Sequence, residues 1–321
     1  MLYDTIMIDS ANLFYRLAKN SDTPKKIVKS LIKFVEEECK PHLHKDGDIY
    51  ILFDPLSKSD LGESKSFTYS TNVRKSIDSN YKKGRSYSPL YGPTIEIFKK
   101  YYSYRGDSIK LVYSNQYEAD DFVEPIVKSL AGKKIAIITT DNDYARYISD
   151  DIDMINKGFE KPYTIKEFYD DFKFYPTPAA NTLYKAIFGD SSDNIEGCIN
   201  LKKARFITNI RKTSYNYIKY VSDNKISLDD ALSQFKTANF NEIVSKKDRG
   251  DFGSLFVELY VASQRDEVLL TFYKNIKLIR SQLEGKDVSK FIHSSPEKIE
   301  FNEIQKQAIF GIDAKSWFGK V

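Results

Sequence analysis

Short apolar runs alternate with longer amphipathic segments along the first half of the chain. Apolar runs of about four to eight residues bounded by turn residues are typical of buried strands, whereas apolar positions that recur three or four apart indicate helices. The pattern predicts strands at residues 3–8, 49–53, 109–113 and 135–139. It predicts helices at residues 11–19, 24–40, 94–104 and 178–188. Strands that alternate with helices in this way imply a mostly parallel sheet covered on both faces.

Acidic residues follow all four predicted strands. Parallel sheets place their ligand sites beyond the carboxyl ends of the strands, so the residues at these exits decide the chemistry. The acids after the four strands are, in order, Asp9; Asp54; Glu118, Asp120 and Asp121; and Asp141 and Asp143. One aspartate at a strand exit is ordinary, because aspartate favours turns and helix caps. Acids at four exits in succession instead indicate a single functional site.

The segment Glu118-Ala119-Asp120-Asp121 has three carboxylates where an amphipathic segment begins. A helix start favours an acid by only about 0.3 to 1 kcal/mol, which explains one or two of them. Crowded carboxylates repel one another and take up protons unless hard cations that prefer oxygen ligands neutralise them. Two divalent ions about 3.5 to 4 Å apart suit this many acids and also suit hydrolysis at phosphorus. Asp190 and Asp193, three residues apart, are two further candidate ligands.

The charge of the chain is distributed in blocks. The net charge of the 321 residues is only +4, but residues 65–105 contain nine basic and two acidic residues, and residues 198–220 contain six basic and no acidic residues. Such blocks beside clustered acids indicate a protein that holds a polyanion, although solvated helix faces have the same composition. Two distant cysteines and three histidines without ligand spacing argue against a zinc site or a disulfide framework. With no leader and no long apolar run, we expect a cytoplasmic protein without a membrane partner.

An ordered set of motifs extends over about residues 5 to 280. The motifs are Ile8-Asp9-Ser10 with Asn12-Leu13; Phe53-Asp54; Arg74 with Tyr81-Lys82-x-x-Arg85; Glu118-Ala119-Asp120-Asp121; Thr140-Asp141-x-Asp143; and Gly189-Asp190-x-x-Asp193-Asn194. Together they resemble the 5′-nucleases of the flap endonuclease type, especially the bacteriophage 5′-exonuclease and RNase H branch. The segment 272–279 also resembles a late strand of that family, in which an asparagine stands among apolar residues.

The resemblance implies a fold and a domain organisation. The fold would be a PIN-like α/β domain with a mostly parallel central sheet flanked by helices, a helical arch at about 55–105 and a helix-three-turn-helix DNA-binding element. The catalytic core would span residues 1–176, a helical part 177–290 and a C-terminal tail 291–321. We expect a monomer.

The resemblance also implies roles for individual residues. Nine acids would surround two Mg²⁺ ions, for which Mn²⁺ would substitute: Asp9, Asp54, Glu118, Asp120, Asp121, Asp141, Asp143, Asp190 and Asp193. Lys82 and Arg85, three apart on one helical face, would stabilise the charge that develops on the scissile phosphate. DNA would be contacted by Tyr15, Arg74, Tyr81, Lys83, Lys202, Lys203 and Arg205. Tyr15 would stack on the terminal base, although its position also suits an ordinary core tyrosine.

The implied activity is that of a structure-selective 5′-nuclease that removes 5′ flaps, RNA primers or 5′-terminal nucleotides during replication and repair. Its substrates would be DNA with 5′ flaps, nicks or 5′ ends, and RNA–DNA hybrids. Attack by a metal-activated water would leave a 5′-phosphate and a 3′-hydroxyl.

Two segments depart from the family pattern, and the tail is a third feature of note. The Ser-rich segment 57–70 is an apparent insertion that would enlarge the arch. Residues 198–201 stand where the family has a glycine hairpin, so the sequence does not support a monovalent ion there. Duplex binding would then be weaker, or made mainly by Lys202, Lys203 and Arg205. The tail 309–321 ends on Trp317 and Phe318, which resemble the aromatic tips of peptides that bind sliding clamps. The alternative is that this tail docks on its own domain.

Three other functions share some of these features. A haloacid-dehalogenase-like phosphatase also has a strand-end aspartate, but it needs an acid two residues later, where this chain has Ala11. A topoisomerase-primase metal site would explain Asp141 and Asp143 and leave the acids at 118–121 without a role. A catalytically silent DNA-binding protein on a nuclease fold is the third alternative, and it would not require all nine acids.

Overall fold

The buried apolar runs form the centre of a six-stranded sheet in the computed structural model. The model describes residues 2–19, 21–55, 74, 77–83, 88–103, 108–115, 117–198, 216–237 and 266–294. The strands are β1 (Tyr3–Asp9), β2 (Leu43–Leu52), β3 (Ile109–Val112), β4 (Ile135–Ile138), β5 (Ile152–Ile155), a two-stranded hairpin of β6 (Gly189–Asp190) and β7 (Ile195–Glu196), and β8 (Ile292–Ser294). The large sheet has the order β5-β4-β1-β2-β3-β8, and only β8 runs antiparallel to its neighbour.

The predicted fold class, a mostly parallel sheet flanked by helices, is confirmed. The four predicted strands correspond to β1 to β4, which are the four central strands of the sheet. The two edge strands were not expected from the sequence. Asp153 interrupts the apolar run of β5 and accepts a hydrogen bond from Tyr3 Oη at 3.0 Å, and β8 is only three residues long. Short or interrupted runs fall below the length at which an apolar pattern identifies a strand.

Helices cover both faces of the sheet. The α-helices of the described residues include α1 (Ser10–Ala18), α2 (Pro24–Lys33), α3 (Tyr91–Ser103), α4 (Val123–Ser129), α5 (Ile165–Phe172), α6 (Pro178–Phe188), α7 (Leu228–Thr237) and α8 (Asp266–Ile279). A π-helix (Phe34–Cys39) continues α2, and 3-10 turns span Lys40–His42, Ala119–Phe122, Asn142–Tyr147, Ser191–Asp193 and Ser289–Phe291. Successive residues of β1 face opposite sides of the sheet. Ile6 and Ile8 pack in one core with α1, α2 and α3, and Met7 packs in the other with α4, α6 and α8.

The predicted late strand at 272–279 is wrong, because this segment lies within helix α8. Its buried apolar residues include Phe272, Ile276 and Ile279, which are spaced four and three apart and therefore share one face of a helix. A short apolar run is compatible with either element, and here the packing of α8 against α6 favours the helix. Asn275, the asparagine of that segment, is fully buried at this contact.

The buried amide of Asn275 holds the β6–β7 hairpin to helix α6. Its Nδ2 donates to the carbonyl oxygens of Ala186 at 3.0 Å and Glu196 at 2.7 Å. We expect Asn275→Leu to lower the free energy of unfolding by about 1 to 3 kcal/mol, the cost of removing the donor of a buried carbonyl, because the carbonyl of Ala186 would keep only the long bond from the N–H of Cys198 at 3.4 Å. Urea denaturation measures the loss. Asn224→Leu is the matched control, since it removes an amide-to-carbonyl bond of 2.8 Å from an exposed site; equal small losses in both variants would contradict the expectation.

Several predicted features lie wholly or mainly outside the described residues. These are the body of the helical arch, the basic residues Arg85, Lys202, Lys203 and Arg205, and the tail at 309–321. The proposed domain boundaries after residues 176 and 290 stay predictions. In the part of the chain that the structure describes, no helix is both long enough and apolar enough to cross a membrane.

Candidate metal centre

The carboxyl ends of the central strands converge on one cavity. Because β1, β2, β3 and β4 run parallel and adjacent, the residues that follow them meet at the same edge of the sheet. The cavity has a volume of about 340 Å³. Its lining includes seven of the nine predicted acids, namely Asp9, Asp54, Glu118, Asp120, Asp141, Asp143 and Asp193. The remaining two, Asp121 and Asp190, are not among the lining residues.

Asp9 ends β1 and caps helix α1. Its Oδ1 accepts the main-chain N–H of Asn12 at 3.0 Å, and its Oδ2 accepts the hydroxyl of Thr139 at 3.1 Å. The Asn12 side chain also exchanges two hydrogen bonds with Thr140, at 2.8 and 3.1 Å. These bonds join the exits of β1 and β4, and the hydroxyl of Thr139 in turn accepts the N–H of Asp141 at 3.1 Å. Asp9 and Asp141 are therefore held in fixed relation by neutral donors.

The carboxyl groups deepest in the cavity have perturbed acidity. Burial and, next, the nearby charge of Asp54 together raise the pKa of Asp9 to about 7. Burial also raises the pKa of Asp54 to about 6, with a contribution from Glu118. Raised values of this kind mean that the carboxyls repel one another in a poorly hydrated space. A bound cation would remove this repulsion.

The 3-10 turn Ala119–Phe122 presents the next acids. The main-chain N–H of Ala119 donates to Asp54 Oδ1 at 2.9 Å, which ties the turn to the exit of β2. Glu118 and Asp121 form a reciprocal capping box across the turn. Asp120 Oδ1 is buried and has no hydrogen-bond partner among the described residues. The turn thus accounts for two of its acids as caps, and Asp120 Oδ1 forms only a long ion pair, at 3.9 Å, with Arg74 Nη1.

Arg74 lies beneath the cavity and joins two of these acids. Its guanidinium donates to Glu118 Oε2 at 2.6 Å and to Asp121 Oδ1 at 2.9 Å, and only 1% of its side chain is exposed. Asp121 Oδ1 also accepts the main-chain N–H of Gln282, and Asp121 Oδ2 that of Glu118. Burial this deep leaves Arg74 no surface for a nucleic acid in this structure, which corrects the DNA contact expected of it. The role of Asp121 as a metal ligand stays a prediction.

Lys82 reaches the cavity from a turn. Its backbone has φ +51°, so the helical face expected for Lys82 and Arg85 is wrong at Lys82. The turn is held because the N–H of Lys82 donates to the carbonyl of Asp193 at 3.0 Å. Lys82 Nζ donates to Glu118 Oε2 at 2.7 Å. Burial lowers the pKa of Lys82, but the charge of Glu118 and its neighbours outweighs burial and holds this pKa well above its ordinary value.

Three residues expected to contact DNA lie near the cavity and differ in exposure. Tyr15 lines the cavity with 39% of its surface exposed, and its ring stacks parallel to that of Tyr91 with centroids 6.0 Å apart. Lys83 is exposed at the surface of the turn. Tyr81 is only 1% exposed, so its ring supports Arg74 from inside the core and does not face a ligand. The DNA contacts of Tyr15 and Lys83 stay predictions.

A second acidic group adjoins the cavity, and two of its members, Asp143 and Asp193, line it. Asp143, Asp190 and Asp193 each offer one carboxylate oxygen, and these oxygens lie within 4.8 Å of one another. Lys185 Nζ donates to Asp190 Oδ2 at 2.7 Å and also to Asp143 Oδ1. We call these three acids the far group, and Asp9, Asp54, Asp120 and Asp141 the near group.

Sequence reasoning missed three residues that organise these groups. Asn12 and Thr139 flank predicted acids, but their role depends on contacts between strand exits 128 and 130 residues apart. Lys185 lies in α6, 42 residues from Asp143, and a lysine in an amphipathic helix carries no local signal of a charged partner. Contacts of this kind exist only after the sheet has assembled.

This chain is similar to known proteins in sequence and in structure. The family model of the 5′-3′ exonuclease N-terminal resolvase-like domain matches residues 5–173. A 5′-3′ exonuclease of Buchnera aphidicola subsp. Schizaphis graminum is 27% identical over 233 residues, which cover 67% of this chain and 74% of that protein. The structure of T5 5′-exonuclease with bound zinc ions is 18% identical, has a TM-score of 0.49, and is matched over 86% of this chain and 99% of that one. The catalytic core of Rad2 in complex with DNA substrate is 10% identical, with a TM-score of 0.46 over 99% of this chain and 91% of that one.

Proposed function

Because the chain belongs to the 5′-3′ exonuclease family, we propose that it is a divalent-metal-dependent 5′-nuclease that hydrolyses phosphodiester bonds in DNA. The family model spans residues 5–173, more than half of the chain, and this confirms the resemblance drawn from the motifs. The observation that carries the proposed chemistry is the cavity at the carboxyl edge of the sheet, where acids from four strand exits and Lys82 face one space.

The residues of the cavity fit hard divalent cations. Every candidate ligand is a carboxylate oxygen, which is the donor type that Mg²⁺ prefers, and Mn²⁺ accepts the same set. Asp120 Oδ1 is buried, accepts no hydrogen bond from the described residues and lies 3.9 Å from Arg74 Nη1. A cation would satisfy this oxygen and would also explain the raised pKa values of Asp9 and Asp54. The near group would hold one ion and the far group a second. Two such ions would activate a water and stabilise the charge that develops at phosphorus.

The chain's own residues would prepare the phosphate for attack. Lys82 and Glu118 both line the cavity, and the fixed positive charge of Lys82 would stabilise the phosphate oxygens. Tyr15 presents a partly exposed ring at the rim, and an aromatic face suits a terminal base of any sequence. The bonds from Asn12 and Thr139 keep Asp9 in place, so this carboxylate needs no reorganisation when a ligand arrives.

The substrates we propose are DNA with 5′ flaps, nicks or 5′ ends, and RNA–DNA hybrids. The basic block at 198–220 would anchor the duplex through Lys202, Lys203 and Arg205, with Arg85 beside the scissile phosphate. A monomeric state and a sliding clamp as partner of the tail are further parts of this proposal, and they rest on the sequence alone.

Two other functions are less well supported. A haloacid-dehalogenase-like phosphatase needs an acid two residues after its nucleophile, and Ala11 lines the cavity at that position. A silent DNA-binding protein would have no need for an intact acidic set, and here seven acids still line the cavity.

Turnover of a 5′-flapped duplex decides between these functions. With Mg²⁺, we expect products that carry a 5′-phosphate and a 3′-hydroxyl, and we expect chelation of the metal to stop the reaction. Binding of the same duplex without any cleavage in Mg²⁺ or Mn²⁺ would favour the silent protein. Release of inorganic phosphate from a phosphomonoester would favour the phosphatase.

A further inference from the structure

Helix α6 places an ammonium group inside the far group. Lys185 lies in the last turn of the helix, and its Nζ bridges Asp143 and Asp190, with 2.7 Å to Asp190 Oδ2. The exposed fractions of the three side chains are only 13%, 20% and 10%. The contact is therefore shielded from water, where a solvent-exposed pair would contribute little.

The backbone around Lys185 is built for this contact. Gly189 ends α6 with φ +88°, and this turn brings Asp190 back toward the helix that carries Lys185. A Cβ atom at Gly189 would lie 2.6 Å from the main-chain nitrogen of Gly197, so no other residue fits without displacing the hairpin. The hairpin thus fixes Asp190 beside Lys185 before any ligand binds.

The two acidic groups are compensated in different ways. In the near group, Asp9 accepts hydrogen bonds from Asn12 and Thr139 and Asp54 accepts one from Ala119, all neutral donors, while the Arg74 guanidinium lies 3.9 Å from Asp120 Oδ1, beyond hydrogen-bond distance. In the far group, Asp190 accepts hydrogen bonds from Ser192, and in addition a charged lysine donates to two of the three acids. The single positive charge of Lys185 does not neutralise all three carboxylates, so a divalent ion could still be attracted to the far group. That ion would need carboxylate oxygens that already accept hydrogen bonds from Lys185.

We propose that Lys185 is a tethered counter-cation of the far group, which a second divalent ion must displace. The near group would then bind its ion tightly and the far group would bind weakly, so that the two sites fill in order as the metal concentration rises. Displacement is feasible because lysine carries its charge on a flexible four-carbon stem. The inference rests on the proposed two-metal site and concerns its regulation by a residue of the protein itself.

Calcium titration of the DNA-free protein tests the proposal. Isothermal titration calorimetry on the wild type should resolve a tighter and a weaker binding event, and Asp143→Asn should remove only the weaker one. Lys185→Met and Lys185→Gln should each tighten the weaker event by about tenfold or more, because a competing positive charge has been removed. If the affinity of the weaker calcium site is unchanged or reduced in both Lys185 variants, the proposal is overturned. It is also overturned if the wild type and both variants bind only one calcium ion.

Thermal unfolding provides a second readout that a purely structural ion pair would not reproduce. Without calcium, both Lys185 variants should melt below the wild type, since three carboxylates have lost their counter-charge; saturating calcium should remove the difference. A loss that persists in calcium would make Lys185 a structural residue and reject the proposal. Lys128→Met is the matched control, because Lys128 pairs with Glu124 at 2.6 Å away from the cavity. Neither measurement uses DNA or cleavage. The role of Lys185 in calcium binding can therefore be decided even if the protein proves not to be a nuclease.

Discussion

Replacing Asp141 by asparagine is expected to reduce cleavage of a 5′-flapped duplex by about a thousandfold or more. The substitution removes one negative charge from the near group, and losing a single electrostatic stabiliser of a transition state already costs on the order of 10²- to 10³-fold. The local structure should survive, because Asp141 Oδ1 accepts the N–H of Asp143 at 3.0 Å and an asparagine oxygen can accept the same bond. Single-turnover cleavage in Mg²⁺ measures the effect.

DNA binding separates loss of metal from loss of fold in this variant. In Ca²⁺, Asp141→Asn should bind the duplex as well as the wild type or better, since one repulsive charge has been removed. Asp287→Asn is the matched control: Asp287 Oδ1 also accepts an N–H two residues ahead, at 2.8 Å, but from an exposed turn. We expect that control to cleave normally. Cleavage by Asp141→Asn at a rate close to the wild type would remove Asp141 from the metal centre.

Lys82→Ala is expected to lower the single-turnover rate by about 10²-fold or more with little change in duplex affinity. The reason is the position of the ammonium group, which faces the cavity, donates to Glu118 Oε2 at 2.7 Å and is only 16% exposed. The ammonium group of Lys82 is fixed inside the cavity, so it acts on a phosphate that has entered the cavity. It contributes little to the affinity for the duplex outside. Single-turnover cleavage and fluorescence anisotropy on the same flapped substrate measure the two quantities.

A lysine with a similar ion pair elsewhere tests whether the loss is specific. Lys110 Nζ lies 2.6 Å from Asp48 Oδ2, and both side chains are about one third exposed, away from the cavity. Lys110→Ala should therefore keep the wild-type rate. An effect of Lys82→Ala on affinity alone would make Lys82 a tether for DNA, and equal rate losses in the two variants would point to a general loss of stability.

The apolar pattern was sufficient to determine the centre of the fold. Buried strands of a parallel sheet read as continuous apolar runs, so β1 to β4 and helix α6 could be located from local sequence. Parallel strands exit at one edge, and this rule alone predicted that the acids at 9, 54, 118, 120, 121, 141 and 143 would gather; all of them except Asp121 line the cavity. The family assignment needed no more than the order of these motifs.

Tertiary packing decided what the local pattern left ambiguous. The segment 272–279 is apolar enough for a strand, but its contact with α6 favours helix α8. Lys82 takes a left-handed turn because its N–H bonds the carbonyl of Asp193, a residue that lies 111 positions later in the chain. Such choices depend on partners distant in sequence, and no periodicity within a segment reports them.

The tertiary structure alone also decided which charged residues face the cavity and which support it from inside the protein. Sequence identified nine acids as equivalent ligands, whereas burial and hydrogen bonding separate Asp121, which joins Arg74 beneath the cavity, from the acids that face it. The same contacts turn Arg74 from an expected DNA contact into an internal support and bring Lys185 into the far group. The sequence by itself determined which charges are present and at which edge of the sheet most of them gather. The pairing of acidic with basic side chains depends on distances of about 3 Å, because the strength of an electrostatic interaction is set by separation and burial. Only the folded chain determines both quantities.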